Sequence, residues 1–108
     1  MFQSSRSPPP RVAPIVHDGV RYEQVMNAIP LGEDQATGFL AAFDEGTDER
    51  LWTLKIYDVR RDPAIEADVQ DIFFTRMEMT GDGRLAIENE AGNRYEVDPK
   101  ARTVTPAK

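Results

Sequence analysis

The run Arg50-Leu51-Trp52-Thr53-Leu54-Lys55-Ile56-Tyr57 decides the fold class. Trp52, Leu54 and Ile56 alternate with Thr53 and Lys55, the period-two pattern of a strand with one buried face. A helical period fits this run less well, because it mixes Trp52, Thr53 and Ile56 across faces. Immediately before it, Asp44-Glu45-Gly46-Thr47-Asp48-Glu49 reads as a polar turn, and Gly38-Phe39-Leu40-Ala41-Ala42-Phe43 as the preceding strand. Further back, Asp18-Gly19 separates Ile15-Val16-His17 from Val20–Met26. An Asp-Gly pair between apolar runs is a strong hairpin signal. In the second run Val20, Tyr22 and Met26 share a face that Gln24 interrupts. Asn27 to Thr37, with Pro30, Gly32, Glu33 and Asp34, reads as a loop.

On the other side the pattern changes. Asp62 is a favoured helix cap and Pro63 suits the first helical position. Ile65, Val69, Ile72 and Phe73 then recur at helical spacing, with Glu66, Asp68 and Asp71 outside. This predicts one short helix over Pro63–Ile72. Strands return after it. In Phe73–Thr80, Phe73, Thr75, Met77 and Met79 fall on one side and Arg76 and Glu78 on the other. Gly81-Asp82-Gly83 turns the chain, Leu85 and Ile87 alternate with Ala86 and Glu88, and Ala91-Gly92-Asn93 turns it again. Tyr95 and Val97 follow, then a last run Arg102–Thr105 before Pro106. The expectation is a mostly-β antiparallel meander with one short helix near 63–72. It takes the form of a small sandwich, a barrel or a propeller-like pair of sheets. The expected core is Tyr22, Phe39, Ala41, Phe43, Trp52, Leu54, Ile56, Ile65, Val69, Ile72, Phe73, Met77, Leu85, Ile87, Tyr95 and Val97. Trp52 is expected to be largely buried.

Length and composition bound the function. The 108 residues are enough for one domain, expected over 14–105, between a Pro-rich disordered arm (1–13) and a short tail (106–108). Nineteen acidic residues against thirteen basic ones give a net charge of −6. Nucleic acid and anionic membranes demand a basic footprint, so neither is expected as a partner. The absence of cysteine excludes disulfides, thiolate catalysis and Cys-based metal sites. No run approaches the ~18 apolar residues of a membrane helix. The first ten residues have no apolar signal core, which makes the cytoplasm the expected location; a mature exported chain whose signal was removed would look the same.

Few residues point to chemistry. A paired-carboxylate hydrolase needs two convergent acids at a defined separation, and no spacing here demands one. Residues 33–49 hold six acids and no Lys or Arg, while Lys100, Arg102 and Lys108 follow Asp98; both read as solvated surface. Asp44–Glu49 looks superficially like a calcium loop, but an apolar strand follows at once where the twelve-residue template requires more ligands. His17 has no second histidine to share a metal with. Arg60-Arg61 has the donors to grip a carboxylate or phosphate and also simply precedes the Asp62 cap. Gly81-Asp82-Gly83 lacks the Lys and the following helix of a phosphate loop. No catalytic, cofactor-binding or metal residue is assigned, and no cofactor is implied.

Residues 38–57 resemble the repeat of quinoprotein-type β-propellers. That repeat places a small residue and an Asp at the end of one strand, then a Thr-Gly turn, then a Trp on the next strand. Ala42, Asp44, Thr47 and Trp52 match, with Asp48 at the turn glycine. Residues 92–104 are a weaker second copy without the Trp. The resemblance implies a packing role for Asp44, Thr47 and Trp52 and carries over no cofactor contact. Seven or so strands make barely two blades, and a propeller needs at least about four.

Three functions are therefore expected in order. The first is a non-catalytic protein-interaction or accessory module, with a protein partner or self-association. The second is a small-ligand protein, such as a sugar binder assembled as an oligomeric propeller-like ring, which exposed aromatics would favour. The third is a carboxylate-based hydrolase, marked by a pocket with two convergent acids, one of them desolvated.

Overall fold

The computed structural model describes residues 12–59 and 71–107. Eight strands occupy them: β1 (Ile15–His17), β2 (Val20–Val25), β3 (Phe39–Asp44), β4 (Arg50–Lys55), β5 (Phe74–Met79), β6 (Leu85–Asn89), β7 (Arg94–Asp98) and β8 (Thr103–Ala107). They form two four-stranded antiparallel meanders, β1-β2-β3-β4 and β5-β6-β7-β8, and neither closes into a barrel. The mostly-β expectation holds. The Asp18-Gly19 hairpin forms as read, with Ile15 opposite Tyr22 and His17 opposite Val20. Both turn residues have positive φ, 53° and 74°, as a two-residue hairpin loop of this hand requires.

Eight of the ten residues expected in a helix over 63–72, and Arg60 and Arg61 before them, lie outside the described residues, including Ile65 and Val69 of the expected core. Asp71 and Ile72, at the end of that span, are irregular chain leading into β5. Among the described residues the sole helical element is a 3-10 turn at Ile29–Leu31.

One core fills the space between the sheets. Tyr22, Leu40, Ala42, Ile56 and Tyr57 from the first half meet Phe74, Met77, Leu85, Ile87 and Val97 from the second. Trp52, Leu54, Ile72 and Tyr95 pack against it while partly exposed. The expected burial of Phe39 and Ala41 holds, and one expected face, that of β5, is corrected. On β3 the residues aimed between the sheets are Leu40 and Ala42; Phe39 and Ala41 are buried on the opposite face and Phe43 is half-buried there. A central strand covered on both sides has no polar face to mark its phase. On β5 the register shifts between Phe74 and Arg76, so Phe74 and Met77 face the core together and Thr75 is exposed. β8 also continues through Pro106, opposite Tyr95, where an edge strand tolerates the missing N–H.

Polar side chains join the two halves. The Phe74 amide donates to Gln24 Oε1 at 2.6 Å, and the Ile72 amide donates to Thr37 Oγ1 at 3.2 Å. The Tyr57 hydroxyl donates to the Ile72 carbonyl at 2.6 Å, while its ring stacks on Tyr95 at 5.3 Å. Gln35, 5% exposed, satisfies both ends of its amide. Nε2 donates to the carbonyls of Thr37 and Tyr57, and Oε1 accepts from the Val59 amide. Gly38 sits against this amide at φ +91°, and a Cβ there would come within 2.7 Å of both Gln35 Nε2 and the Tyr57 carbonyl. Glycine is therefore required by the close approach as well as by the backbone.

The last turn of each sheet has the same construction. Asp44 Oδ1 accepts from the amides of Gly46 and Thr47, the Asp44 carbonyl accepts from the Asp48 amide, and Asp48 has φ +64°. Asp98 Oδ1 accepts from Lys100 and Ala101, its carbonyl accepts from Arg102, and Arg102 has φ +56°. The side chain of the first residue thus pins a turn that ends in left-handed backbone.

Candidate functional site

Two surfaces stand apart from the rest. The first is a cleft of about 550 Å³ at the end of the molecule where three turns converge. His17 and Asp18 come from the β1–β2 hairpin, Asp82 and Arg84 from the β5–β6 turn, and Asp98 and Lys100 from the β7–β8 turn. The aromatic wall is Tyr22 and Trp52, whose ring centroids lie 6.1 Å apart with planes tilted by 50°. Strand alternation places both: Tyr22 and Trp52 are each opposite Ala42 on the inner face. Trp52 is thus a half-buried wall of the cleft, packed against the core without belonging to its sealed centre.

The electrostatics of the rim are mixed. Three carboxylates, Asp18, Asp82 and Asp98, face Arg84 and Lys100. Arg84 pairs with Glu96 at 3.1 Å and lies 4.0 Å from Asp82. The Thr80 hydroxyl bonds to Asp82 and holds its carboxyl below the usual range. Burial, and then the nearby charge of Asp18, push the Tyr22 phenol up. His17 Nε2 lies 3.7 Å from an Asp18 oxygen, and both side chains are substantially exposed. No group of three or more His, Asp or Glu with metal-site geometry occurs among the described residues.

The second surface is the outer side of the first sheet. Phe39, Ala41 and Phe43 run along its centre. A groove of about 560 Å³ is lined there by Val25, Leu31, Ala41 and Phe43 together with Glu23, Gln24 and Arg50. The large apolar side chains Val16, Met26, Ile29, Leu31 and Leu51 are all more than 40% exposed, and all five belong to the first sheet or its connections. Leu51 stands out because the β3–β4 register slips at this point, pairing Phe43 with Arg50 and Ala42 with Trp52. Cations flank the apolar centre. Arg21 lies 5.0 Å from the Phe43 ring centroid and bridges Glu23, Glu45 and Asp48, while Lys55 lies 5.9 Å from the Phe39 ring centroid. The Thr53 hydroxyl, opposite Ala41, is the one buried side-chain polar atom without a partner among the described residues.

The outer side of the second sheet is different in kind. Arg76 pairs with Glu78, Arg94 with Glu88 and Arg84 with Glu96 across its surface. That is a solvated, charge-laced face.

Of the residues singled out in the sequence, His17, Asp82 and Trp52 meet at the cleft. Asp44 and Thr47 serve their turn, where Thr47 Oγ1 accepts from the Glu49 amide. Tyr57, the aromatic that ends the run 50–57, is buried in the seam and offers no exposed ring to a ligand. No described carboxylate is fully buried, so the mark expected of the hydrolase reading is not met among the described residues. No described helix is long and apolar enough to cross a membrane. No family model, no curated protein and no solved structure matches the chain.

Proposed function

We propose that this chain is a non-catalytic protein-interaction module that docks a partner protein on the outer side of its first sheet. The contrast between the two outer faces carries the reading. One is covered by paired charges; the other exposes Val16, Leu31 and Leu51 beside half-buried Phe43, with the paired cations Arg21 and Lys55 at its edges. An apolar centre with a polar rim is the composition of a specific protein interface. Aromatic and arginine side chains are the groups that most often dominate binding energy there.

The test is a pair of charge insertions, Leu31→Asp and Leu51→Asp. Both positions are exposed, so the variants keep the wild-type melting temperature within a degree or two. The expected result is that a partner retained by the wild-type chain under native conditions is lost with both variants and retained by Thr103→Asp on the other sheet. A partner that survives both insertions, or is lost equally with Thr103→Asp, overturns the proposal.

A further inference from the structure

We infer that the Trp52–Tyr22 cleft is a binding site for a neutral sugar ring, separate from the apolar protein-docking face. The Tyr22 ring is buried and lines the cleft, and its hydroxyl, which bonds to no described residue, is not sealed from solvent. A sugar hydroxyl in the cleft can both donate to this phenol and accept from it.

The rim selects the ligand class. A cation entering the cleft meets Arg84 and Lys100; an anion meets Asp18, Asp82 and Asp98. A neutral polyol uses both sets, accepting from the cations and donating to the carboxylates. Asp98 commits only Oδ1 to its turn, through the amides of Lys100 and Ala101, and keeps Oδ2 for a ligand. The Lys100 ammonium likewise has no partner among the described residues. The exposed part of the Trp52 indole provides the flat apolar surface that the C–H face of a pyranose covers. Pockets of this type combine an apolar wall with a few convergent polar groups, and the volume of about 550 Å³ falls in the range usual for small ligands.

The experiment uses the full chain and four neutral disaccharides: cellobiose, maltose, lactose and N,N′-diacetylchitobiose. Trp52 is the only tryptophan, so its emission reports this site alone. The expected result is a saturable change in emission with at least one disaccharide, matched by saturation-transfer NMR signals from that sugar. Tyr22→Phe keeps the ring and removes only the unpartnered hydroxyl. It should leave the melting temperature unchanged and weaken binding about tenfold, as should Lys100→Ala, a loss equivalent to ~1.4 kcal/mol each. The inference is overturned if none of the four sugars saturates the site, or if binding is unchanged in both variants. It is also overturned if tetramethylammonium or inorganic phosphate perturbs Trp52 saturably while the sugars do not.

Discussion

Gln24 and Phe74 are fifty residues apart in sequence, and the amide that opens the second sheet donates to the side-chain oxygen of the first at 2.6 Å. Gln24 lies on the inner face beside Tyr22, where an apolar residue would be expected. Its oxygen satisfies a backbone N–H that the fully buried Phe74 removes from water. Gln24→Ala should therefore cost about 1–3 kcal/mol, the penalty for an orphaned buried donor. Urea titration checks this; Gln24→Glu, which keeps an acceptor, should recover part of the loss. Equal midpoints for wild type and Gln24→Ala would show that water replaces the glutamine freely.

Arg102 sits at φ +56° and is exposed at the end of the β7–β8 turn. A non-glycine residue in left-handed backbone carries a cost of roughly 1–2 kcal/mol, part of which glycine returns through its greater freedom in the unfolded chain. Arg102→Gly should stabilise the protein by about 0.5–1 kcal/mol, raising the melting temperature by about 3–6 °C. Calorimetry provides the reading. The same change at Asp48 should gain less, because Asp48 is also one of the carboxylates held by Arg21.

Tyr57 ties stability to alkaline pH. Burial, with the nearby Tyr95 and Glu90, pushes its phenol well above the ordinary value of 10.0. In the unfolded chain the phenol ionises near that value, whereas in the folded chain it stays neutral. The contribution is complete below about pH 10 and is lost as pH rises toward the folded value. Tyr22, raised in the same direction, adds to the slope. Unfolding free energy should fall between about pH 10 and 12, and Tyr57→Phe should make the decline shallower while lowering neutral stability through loss of the bond to Ile72. A decline of equal slope in the variant would contradict the assignment.

Trp52 is half-buried, so the cost of removing it is less than that of a sealed core tryptophan. Trp52→Ala should lose about 2–3 kcal/mol, below the ~3–5 kcal/mol typical of a fully buried site, and should still fold. Native emission should lie between the buried and solvent limits, with partial quenching by iodide. Complete protection from iodide would place the ring in the core and close the cleft.

Local signals were legible where one strand face is polar. Asp18-Gly19 specified its hairpin, and Trp52-Thr53-Leu54-Lys55 its strand phase. The phase of β3 was hidden because Phe39-Leu40-Ala41-Ala42-Phe43 is apolar on both faces. The phase of β5 was hidden because the Phe74/Arg76 shift depends on pairing with β6, a non-local event. Gln24 read as an interruption because its acceptor role needs Phe74, which only tertiary packing brings near. The cleft was illegible for the same reason. Its rim residues come from three turns spread over Asp18 to Lys100, each an ordinary turn in isolation. The exposed apolar surface of the first sheet did have a signal, the residues Met26, Ile29 and Leu31 inside an otherwise polar loop.

Site-specific photo-crosslinking tests the docking face most directly. A benzophenone side chain is placed at Leu31, at Leu51, or at Thr103 on the charged sheet, in the full chain within the cells that make it. The expected result is a discrete adduct of the same mass from positions 31 and 51 and none from 103. Adducts from position 103 alone, or none from positions 31 and 51, would contradict a protein-docking role for the first sheet.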